Sequence, residues 1–275
     1  MSEPAAFHRY AALGDSLTEG LCDPAPQDGG SGTGNPWRGW ADRVAENLAV
    51  AAATAGRPFE YANLAVRGRL LTEVIEEQVP AALRLQPDLV SIIGGGNDLL
   101  RVGADVDAIT TRLDRAVGEL RAGGATVLLA TAYDTRSMAL VRRVRGMAGV
   151  FSANIWTIAR KHDALVLDLW GMTSLYHPLL WAPDRIHLVD EGHRRVALHA
   201  LQVLGRPTDG DWATALPARP PRSRQQAIRE DAAWVRGHVA PWIGRRLRGQ
   251  SSGDGLAPKR PVPTPLLPTP PTPPP

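Results

Sequence analysis

Short apolar runs alternate along the chain with segments whose apolar residues recur every three or four positions. The runs are typical of strands, whereas the longer spacing is typical of helices packed on a core. The run ending at Ile93 is almost continuously apolar, as expected for a parallel strand covered on both faces. The predicted strands fall at residues 7–13, 59–64, 88–93, 126–131 and 165–169, and the predicted helices at residues 36–55, 70–86, 105–121, 147–162 and 190–204.

This alternation predicts a doubly wound α/β fold for residues 1–205, in which five parallel strands carry helices on both faces of the sheet. Open sheets of this kind bind their ligands at the edge where the strands end. We therefore expect the functional residues in the turns that follow the strands.

The composition changes after residue 205. Residues 206–257 are predicted to form a basic helical extension, in which Ser223 and Gln226 make the pattern of a capping box and Pro241 should end or kink the helix. Residues 258–275 are more than half proline, which predicts a disordered and extended tail.

The basic extension is open to three interpretations. Its helix can pack on the first domain with a solvated outer face. It can contact an anionic membrane surface peripherally, because Arg245 and Arg248 flank Trp242, Ile243 and Leu247. The proline-rich tail can also serve as a ligand for a partner domain.

The bulk properties exclude several classes of protein. A net charge of +3 over 275 residues is too small for the whole chain to be a nucleic-acid binder. Cys22 is the single cysteine, so no intramolecular disulfide can form, and a small buried hydrophobe is favoured over a reactive thiol. The first residues lack the features of a signal peptide, and no apolar stretch is long enough to span a membrane. We expect a soluble, cytoplasmic protein, and the sequence indicates no oligomeric state.

The first predicted strand ends in Gly14-Asp15-Ser16, which places the Ser16 hydroxyl at the carboxyl edge of the sheet. A serine nucleophile needs a base that removes its proton and donors for the oxyanion that forms. His187 is the candidate base, because Asp184 lies three residues earlier and can reach Nδ1 while Nε2 faces outward.

Two further residues follow the ends of other predicted strands. Gly68 can present a backbone N–H without a Cβ in the way, and Asn97 can direct its side-chain amide to the same point. Together with the N–H of Ser16 they are the predicted donors to the oxyanion.

Four segments, in this order, resemble the conserved blocks of the SGNH, or GDSL-type, hydrolases. The resemblance spans residues 7–204 and rests on Gly14-Asp15-Ser16-Leu17, residues 63–68, Gly95-Gly96-Asn97-Asp98 and Asp184-x-x-His187. It implies a flavodoxin-like sheet with the strand order 2-1-3-4-5. It also implies a Ser16–His187–Asp184 triad, an oxyanion hole of Ser16, Gly68 and Asn97, and hydrolysis of small or lipid-like esters through an acyl-enzyme with no cofactor.

The resemblance has finer features. Residues 35–40 and 242–255 look like an actinobacterial branch of the family. Arg185 departs from the pattern, since many relatives carry a smaller residue there, and it can either select acidic substrates or point away. No Gly-x-Ser-x-Gly elbow occurs, which argues against the α/β-hydrolase fold.

Alternatives to ester hydrolysis follow from the same residues. An acyltransferase would use the same triad with a hydroxyl in place of water, whereas a non-catalytic binding module is disfavoured because every expected catalytic residue is present. A metal site at Asp184, His187 and His193 is disfavoured because no third histidine or acidic cluster accompanies them. The glycines at 94–96 lack the Lys-Ser or Lys-Thr of a phosphate loop.

The remaining predictions concern the surroundings of the site. His193 should form local hydrogen bonds in the first turn of the last helix, and Asp15 should bond backbone amides of its own turn. Trp40 is predicted to be core, whereas Trp37 is open as a wall of an acyl pocket. The shape of that pocket is expected to come from residues 23–34 and 132–145.

Overall fold

A six-stranded mixed sheet runs through the part of the chain that the computed structural model describes, which is residues 6–25, 35–137, 141–218 and 223–266. The order across the sheet is β5-β4-β3-β1-β2-β6. The first five strands are parallel and β6 is antiparallel to β2. The strands are β1 Arg9–Gly14, β2 Glu60–Asn63, β3 Leu89–Ile93, β4 Thr126–Ala130, β5 Leu165–Leu167 and β6 Arg260–Pro265.

The helices follow the prediction for the first 205 residues, because the ends of the main helices and strands differ from the predicted ones by three residues or fewer. The predicted capping box of Ser223 and Gln226 is also confirmed. The helices are α1 Ser16–Glu19, α2 Gly39–Thr54, α3 Leu71–Glu73, α4 Val79–Leu85, α5 Gly96–Leu99, α6 Val106–Ala122, α7 Arg145–His162, α8 Asp190–Val203, α9 Arg224–Trp234 and α10 Ala240–Leu247.

Both faces of the sheet are covered by helices. Tyr10 and Ala12 of β1 belong to a core that includes side chains of α2 and α8. Ala11 and Leu13, which point the other way, belong to a second core with side chains of α6 and α7. The α/β class is confirmed, and the five parallel strands keep the order 2-1-3-4-5, but the sheet departs from the predicted five-stranded parallel one because β6 is added at its edge.

Two prolines stand inside helical segments without ending them. A π-turn at Val74–Gln78 precedes Pro80, and a second one at Val235–Val239 precedes Pro241. A proline lacks the N–H of the helical ladder and clashes with the carbonyl four residues earlier, and a locally wider turn relieves both problems. The helix therefore continues past Pro241 to Leu247, where we predicted an end or a kink.

The prediction of a disordered tail is wrong for residues 260–265, which form β6 beside β2. Successive N–H groups of a strand point to opposite sides of it. Proline has no N–H, so in an edge strand it is tolerated at positions whose N–H would point away from the neighbouring strand. Pro261, Pro263 and Pro265 occupy alternate positions, while the N–H of Leu266, in the other set, donates to Phe59 O at 3.1 Å. An edge strand can therefore be built from this proline-rich sequence.

Lys259, the residue before β6, has its side chain buried in the interior. Its side chain is 1% exposed, and Nζ donates to the carbonyl oxygens of Glu19, Arg38 and Trp37 at 2.7, 2.6 and 3.2 Å. Nζ also pairs with Asp42 Oδ2 at 2.8 Å. Since four acceptors surround one buried ammonium group, this contact fixes the C-terminal part of the chain to the end of α1 and the start of α2.

Several predictions fall on residues outside the described ones. They concern the loop residues 26–34, the side chains of Trp242, Ile243 and Leu247 that suggested a membrane contact, and the proline-rich residues 267–275. Across the described ranges, no helix combines the length and apolar character needed to cross a membrane.

We predict that Lys259→Met lowers the free energy of unfolding by about 3 to 5 kcal/mol, because it leaves three backbone carbonyls without their donor and the largely buried Asp42 carboxylate, 14% exposed, without its cation. Urea unfolding followed by circular dichroism measures the effect. The control is Lys161→Met, which removes the only other lysine of the chain. Lys161 pairs with Asp114, and its side chain is 59% exposed. That change should cost less than about 1 kcal/mol, and equal losses in the two variants would contradict the prediction.

Candidate active site

Ser16 lies in a sharp turn between β1 and α1. Gly14 ends the strand with φ +147°, and a Cβ at that position would lie 2.1 Å from the carbonyl oxygen of Ile93. Asp15 then caps α1, because its Oδ1 accepts from the N–H of Leu17 at 3.2 Å. The turn places Ser16 first in a short helix at the carboxyl edge of the sheet, and it confirms the predicted role of Asp15.

A buried glutamine supports this turn and was missed in the sequence. Gln78 Oε1 accepts from the N–H of Gly14 at 2.8 Å, and its Nε2 donates to the carbonyl of Gly14 at 3.0 Å. The Gln78 amide thus satisfies both backbone groups of Gly14 at the end of β1, as the backbone of a neighbouring strand would. Only a long-range contact gives Gln78 this role, so its position in a helical segment carried no signal.

The structure brings the three predicted triad residues together. His187 Nε2 lies 3.0 Å from Ser16 Oγ, and His187 Nδ1 lies 2.6 Å from Asp184 Oδ2. Asp184 Oδ1 accepts from the backbone N–H groups of Ile186 and His187, both at 3.0 Å. Both carboxylate oxygens are therefore engaged, and the imidazole is held with Nε2 facing the serine.

The hydrogen bonds outweigh burial at Asp184. Burial acts to raise the pKa of this carboxyl, but the hydrogen bond and charge of His187 and the two backbone N–H groups lower the pKa to about 2. Asp184 is ionised at neutral pH, so it accepts from a proton on Nδ1 of His187. The other ring nitrogen is then available to accept the proton of Ser16 Oγ.

Two of the three predicted oxyanion donors, Ser16 and Asn97, line one cavity. Asn97 lines the same cavity as Ser16, and its Nδ2 donates to Arg69 O at 3.0 Å and to Asp15 Oδ2 at 3.2 Å. Gly68 does not line this cavity. The backbone N–H groups of Ser16 and Gly68 have no acceptor among the described residues.

The loop that carries Gly68 is tied to the serine helix. Glu19 Oε2, at the end of α1, accepts from the N–H of Arg67 at 2.8 Å, and the two side chains form an ion pair. Asn63 Nδ2 donates to the carbonyl of Thr18 at 3.0 Å. These contacts hold the segment after β2 against α1.

An apolar cavity of about 110 Å³ adjoins the triad. Trp181 and Tyr133 form part of its wall, with ring centroids 5.0 Å apart, and the indole N–H of Trp181 donates to Leu175 O at 2.7 Å. Burial raises the pKa of Tyr133, so its hydroxyl stays neutral. The apolar side chains that complete the lining include Leu17, Leu21, Ile93, Leu99, Leu100, Val144, Leu169, Ile186 and Leu188.

Part of this lining was anticipated. Ala132, Tyr133, Thr135 and Val144 come from the expected segment 132–145, whereas Trp181 carried no signal in the sequence. Trp40 is fully buried in the core, which confirms its predicted role. Trp37 is half-buried and does not line the cavity.

His193 is more than a locally bonded helix residue. It is fully buried, and its Nδ1 accepts from the N–H of Trp40 while its Nε2 faces the carbonyl of Leu21, each at 3.3 Å. The prediction of local hydrogen bonds is wrong, because these partners lie more than 150 positions away in the sequence. Burial lowers the pKa of His193 to about 3, so the ring is neutral and joins α8 to both ends of the first loop.

Cys22 is half-buried, with φ +73°, whereas we predicted a small buried hydrophobe. Its thiol, Asp184 and His187 offer possible metal-ligand atoms within 4.8 Å of one another. The carboxylate and both ring nitrogens are already engaged in the triad hydrogen bonds, which account for this proximity. Burial, followed by the charge of Asp184, raises the pKa of the Cys22 thiol, which therefore stays protonated at neutral pH.

Arg185 points away from the serine. Its guanidinium pairs with Asp231 at 2.7 Å and lies over the ring of Trp234, 4.8 Å from the centroid. Of the two interpretations of this residue, the geometry favours the one without a role in selecting acidic substrates.

Comparisons with known proteins agree with this geometry. Residues 12–195 match the model of the GDSL-like lipase/acylhydrolase family. The structure is similar to an acetylxylan esterase, Axe2, from Geobacillus stearothermophilus, with 19% identity, a TM-score of 0.60 and coverage of 78% of this chain and 100% of that one. It is also similar to TesA, with 21% identity, a TM-score of 0.55 and coverage of 72% and 98%. No curated protein sequence matched the chain.

We predict that Asp15 makes the folded protein less stable as the pH rises from about 4 to 6. Burial raises the pKa of Asp15 from 3.8 to about 6, so in this interval the folded protein holds a proton that the unfolded chain has lost. The free energy of unfolding, relative to Asp15→Asn, should fall by on the order of 2 kcal/mol across it. Urea titrations at a series of pH values measure the difference.

A variant with the opposite sign serves as the control. The hydrogen bond from Lys161 lowers the pKa of Asp114, so the advantage of wild type over Asp114→Asn should grow as the pH rises toward 4. A constant difference between wild type and Asp15→Asn from pH 4 to pH 7 would contradict the prediction.

Proposed function

Since the chain belongs to the GDSL-like lipase/acylhydrolase family, we propose that it cleaves small or lipid-like carboxylic esters through an acyl-enzyme formed on Ser16. Membership makes the chain a carboxylic ester hydrolase. The observation that carries the proposed mechanism is the position of His187, whose two ring nitrogens lie 3.0 Å from Ser16 Oγ and 2.6 Å from Asp184.

In the first half of the reaction, Ser16 Oγ attacks the ester carbonyl carbon while His187 Nε2 takes the hydroxyl proton. The imidazolium that forms is stabilised by the ionised Asp184. The negative charge that develops on the carbonyl oxygen is stabilised by the N–H of Ser16, the N–H of Gly68 and Nδ2 of Asn97, which exchanges one of its bonds to Asp15 or Arg69 for the new one. Collapse of this intermediate breaks the bond to the alcohol, which leaves with the proton of His187.

The second half repeats the same steps with water. His187 Nε2 removes a proton from water, and the hydroxide attacks the acyl carbon bound to Ser16. Collapse releases the carboxylic acid and returns the proton to Ser16 Oγ. The chain's own residues supply every proton transfer, so the mechanism needs no cofactor.

The cavity suggests where the acyl group binds. Its lining is mainly aliphatic and aromatic, and such surfaces favour an acyl chain over a charged group. The structurally similar acetylxylan esterase adds acetyl esters to the candidates. A series of p-nitrophenyl esters of increasing acyl length, assayed for acid release and for ester formation with added alcohols, would identify the acyl group and separate hydrolysis from acyl transfer.

We predict that Ser16→Ala lowers kcat for p-nitrophenyl acetate by at least about 10⁴-fold, since the acyl-enzyme cannot form. The same variant should lose labelling by a fluorophosphonate probe. Ser152→Ala is the control, because that buried hydroxyl bonds only the carbonyl of Ala148 in its own helix. Hydrolysis by Ser16→Ala at the wild-type rate would disprove the mechanism.

We predict that Asn97→Ala lowers kcat by about 100- to 1,000-fold with little change in KM, because the amide acts on charge that exists only in the transition state. Steady-state kinetics with the same ester measure both constants. Asn154→Ala removes an amide that bonds Thr110 and Asp107 instead, and it should leave both constants unchanged. A reduction below about fivefold for Asn97→Ala would exclude this residue as a main oxyanion donor.

A further inference from the structure

The C-terminal segment, residues 223–266, contacts three of the four segments that carry the triad and the proposed oxyanion donors, all but that of Asn97. It follows the region that matches the family, residues 12–195. The acetylxylan esterase and TesA are covered over 98% or more of their own lengths, yet at least a fifth of this chain has no counterpart in them. The contacts of this segment therefore come from outside the residues that match the family model.

The first contact is with the loop of Asp184 and His187. The indole N–H of Trp234 donates to the backbone carbonyl of Asp184 at 2.8 Å. The next residue, Arg185, lies over the Trp234 ring and pairs with Asp231. Arg185 has φ +60°, a conformation that is unfavourable for a residue with a Cβ, so these contacts hold the loop in a shape that it would not favour alone.

The second contact is with the loop of Gly68. A Cβ at Gly68 would lie 2.2 Å from Ser251 Oγ, and a Cβ at Gly253 would lie 2.0 Å from the carbonyl oxygen of Arg67. The two backbones therefore touch directly, and neither position has room for a side chain. The segment covers the loop that presents one of the proposed oxyanion donors.

The third contact is with the helix that begins at Ser16. Lys259 Nζ donates to the carbonyl of Glu19, the last residue of α1, at 2.7 Å. This hydrogen bond is inside the protein, because the Lys259 side chain is 1% exposed. The segment thus contacts the end of the helix that begins at Ser16, the Gly68 loop and the Asp184–His187 loop.

We propose that the C-terminal segment is a working part of the active site, in which Trp234 is a positioning residue for the Asp184–His187 loop and Gly253 seats the Gly68 loop. The inference rests on the proposed function. Proton transfer between Ser16 and His187 depends on their separation and alignment, and small displacements of such groups are costly in rate. Loops move more than the sheet does. Contacts from the C-terminal segment reduce the motion of these loops.

The test of the first anchor is Trp234→Phe in the full chain, which keeps an aromatic ring beside Arg185 but removes the indole N–H together with part of the ring area. One hydrogen bond is worth about 0.5–1.5 kcal/mol, so kcat for p-nitrophenyl acetate should fall about 3- to 10-fold. KM and the melting temperature should stay close to those of wild type. Trp212→Phe is the matched control, since its indole donates at 2.7 Å to Gln202, away from the triad, and it should leave kcat unchanged.

The second anchor is tested independently by Gly253→Ala, which pushes the segment away from Arg67 and the Gly68 loop. We expect kcat to fall by about 10-fold or more, because an oxyanion donor is displaced. Gly237→Ala lies in the same segment and its Cβ meets nothing within 4 Å, so it should have no such effect. Circular dichroism at the assay temperature confirms that each variant is folded.

The outcomes separate this inference from the proposed function. If Ser16→Ala is inactive while Trp234→Phe and Gly253→Ala both retain kcat within twofold of wild type, the C-terminal segment does not position the site and the proposed function stands. A loss that appears in KM alone, or equally in the two control variants, also overturns the inference. A fall in kcat confined to Trp234→Phe and Gly253→Ala supports it.

Discussion

The hydrogen bond between Ser16 and His187 is the contact on which the proposed chemistry depends, and it joins residues 171 positions apart. A 3.0 Å separation between two loops requires that each loop be held independently. The serine end is fixed where β1 stops at Gly14, because Gln78 bonds both backbone groups of that residue. The histidine end is fixed by Asp184, which bonds the ring and the backbone of the same loop. β1 ends directly before the serine turn, and β5 of the same parallel sheet ends before the longer segment that leads to His187.

Buried polar groups also connect the segments around these loops. His193 bonds two segments that lie on either side of the first loop, and Lys259 bonds the end of α1. Such groups are costly to bury unless each finds a partner, so their hydrogen bonds are specific as well as stabilising. Asp15 shows the opposing effect, because its burial raises its pKa to about 6 although it accepts from Leu17 and Asn97. The site therefore contains a carboxylate whose charge is only partly compensated.

The C-terminal segment changes how the basic, proline-rich end of the chain is understood. Composition alone suggests an accessory helix and a tail, whereas the structure returns the chain to the sheet through β6. On its way the segment touches Asp184 through Trp234 and Gly68 through Ser251. The family fold supplies the residues that react, and a segment outside the matched region supplies contacts that hold them.

The alternating elements and the residues with a local pattern could be predicted from the sequence alone. Hydrophobic periodicity predicted the five parallel strands, and the short spacing of Asp184 and His187 was enough to place a carboxylate against an imidazole. The roles of Gln78, Trp181 and Trp234 were decided only by the tertiary structure, because their partners lie on other elements and leave no periodic or local signal. The same holds for β6. Alternating prolines form a strand only where the free edge of β2 lies beside them, and a neighbour distant in sequence cannot be inferred from composition.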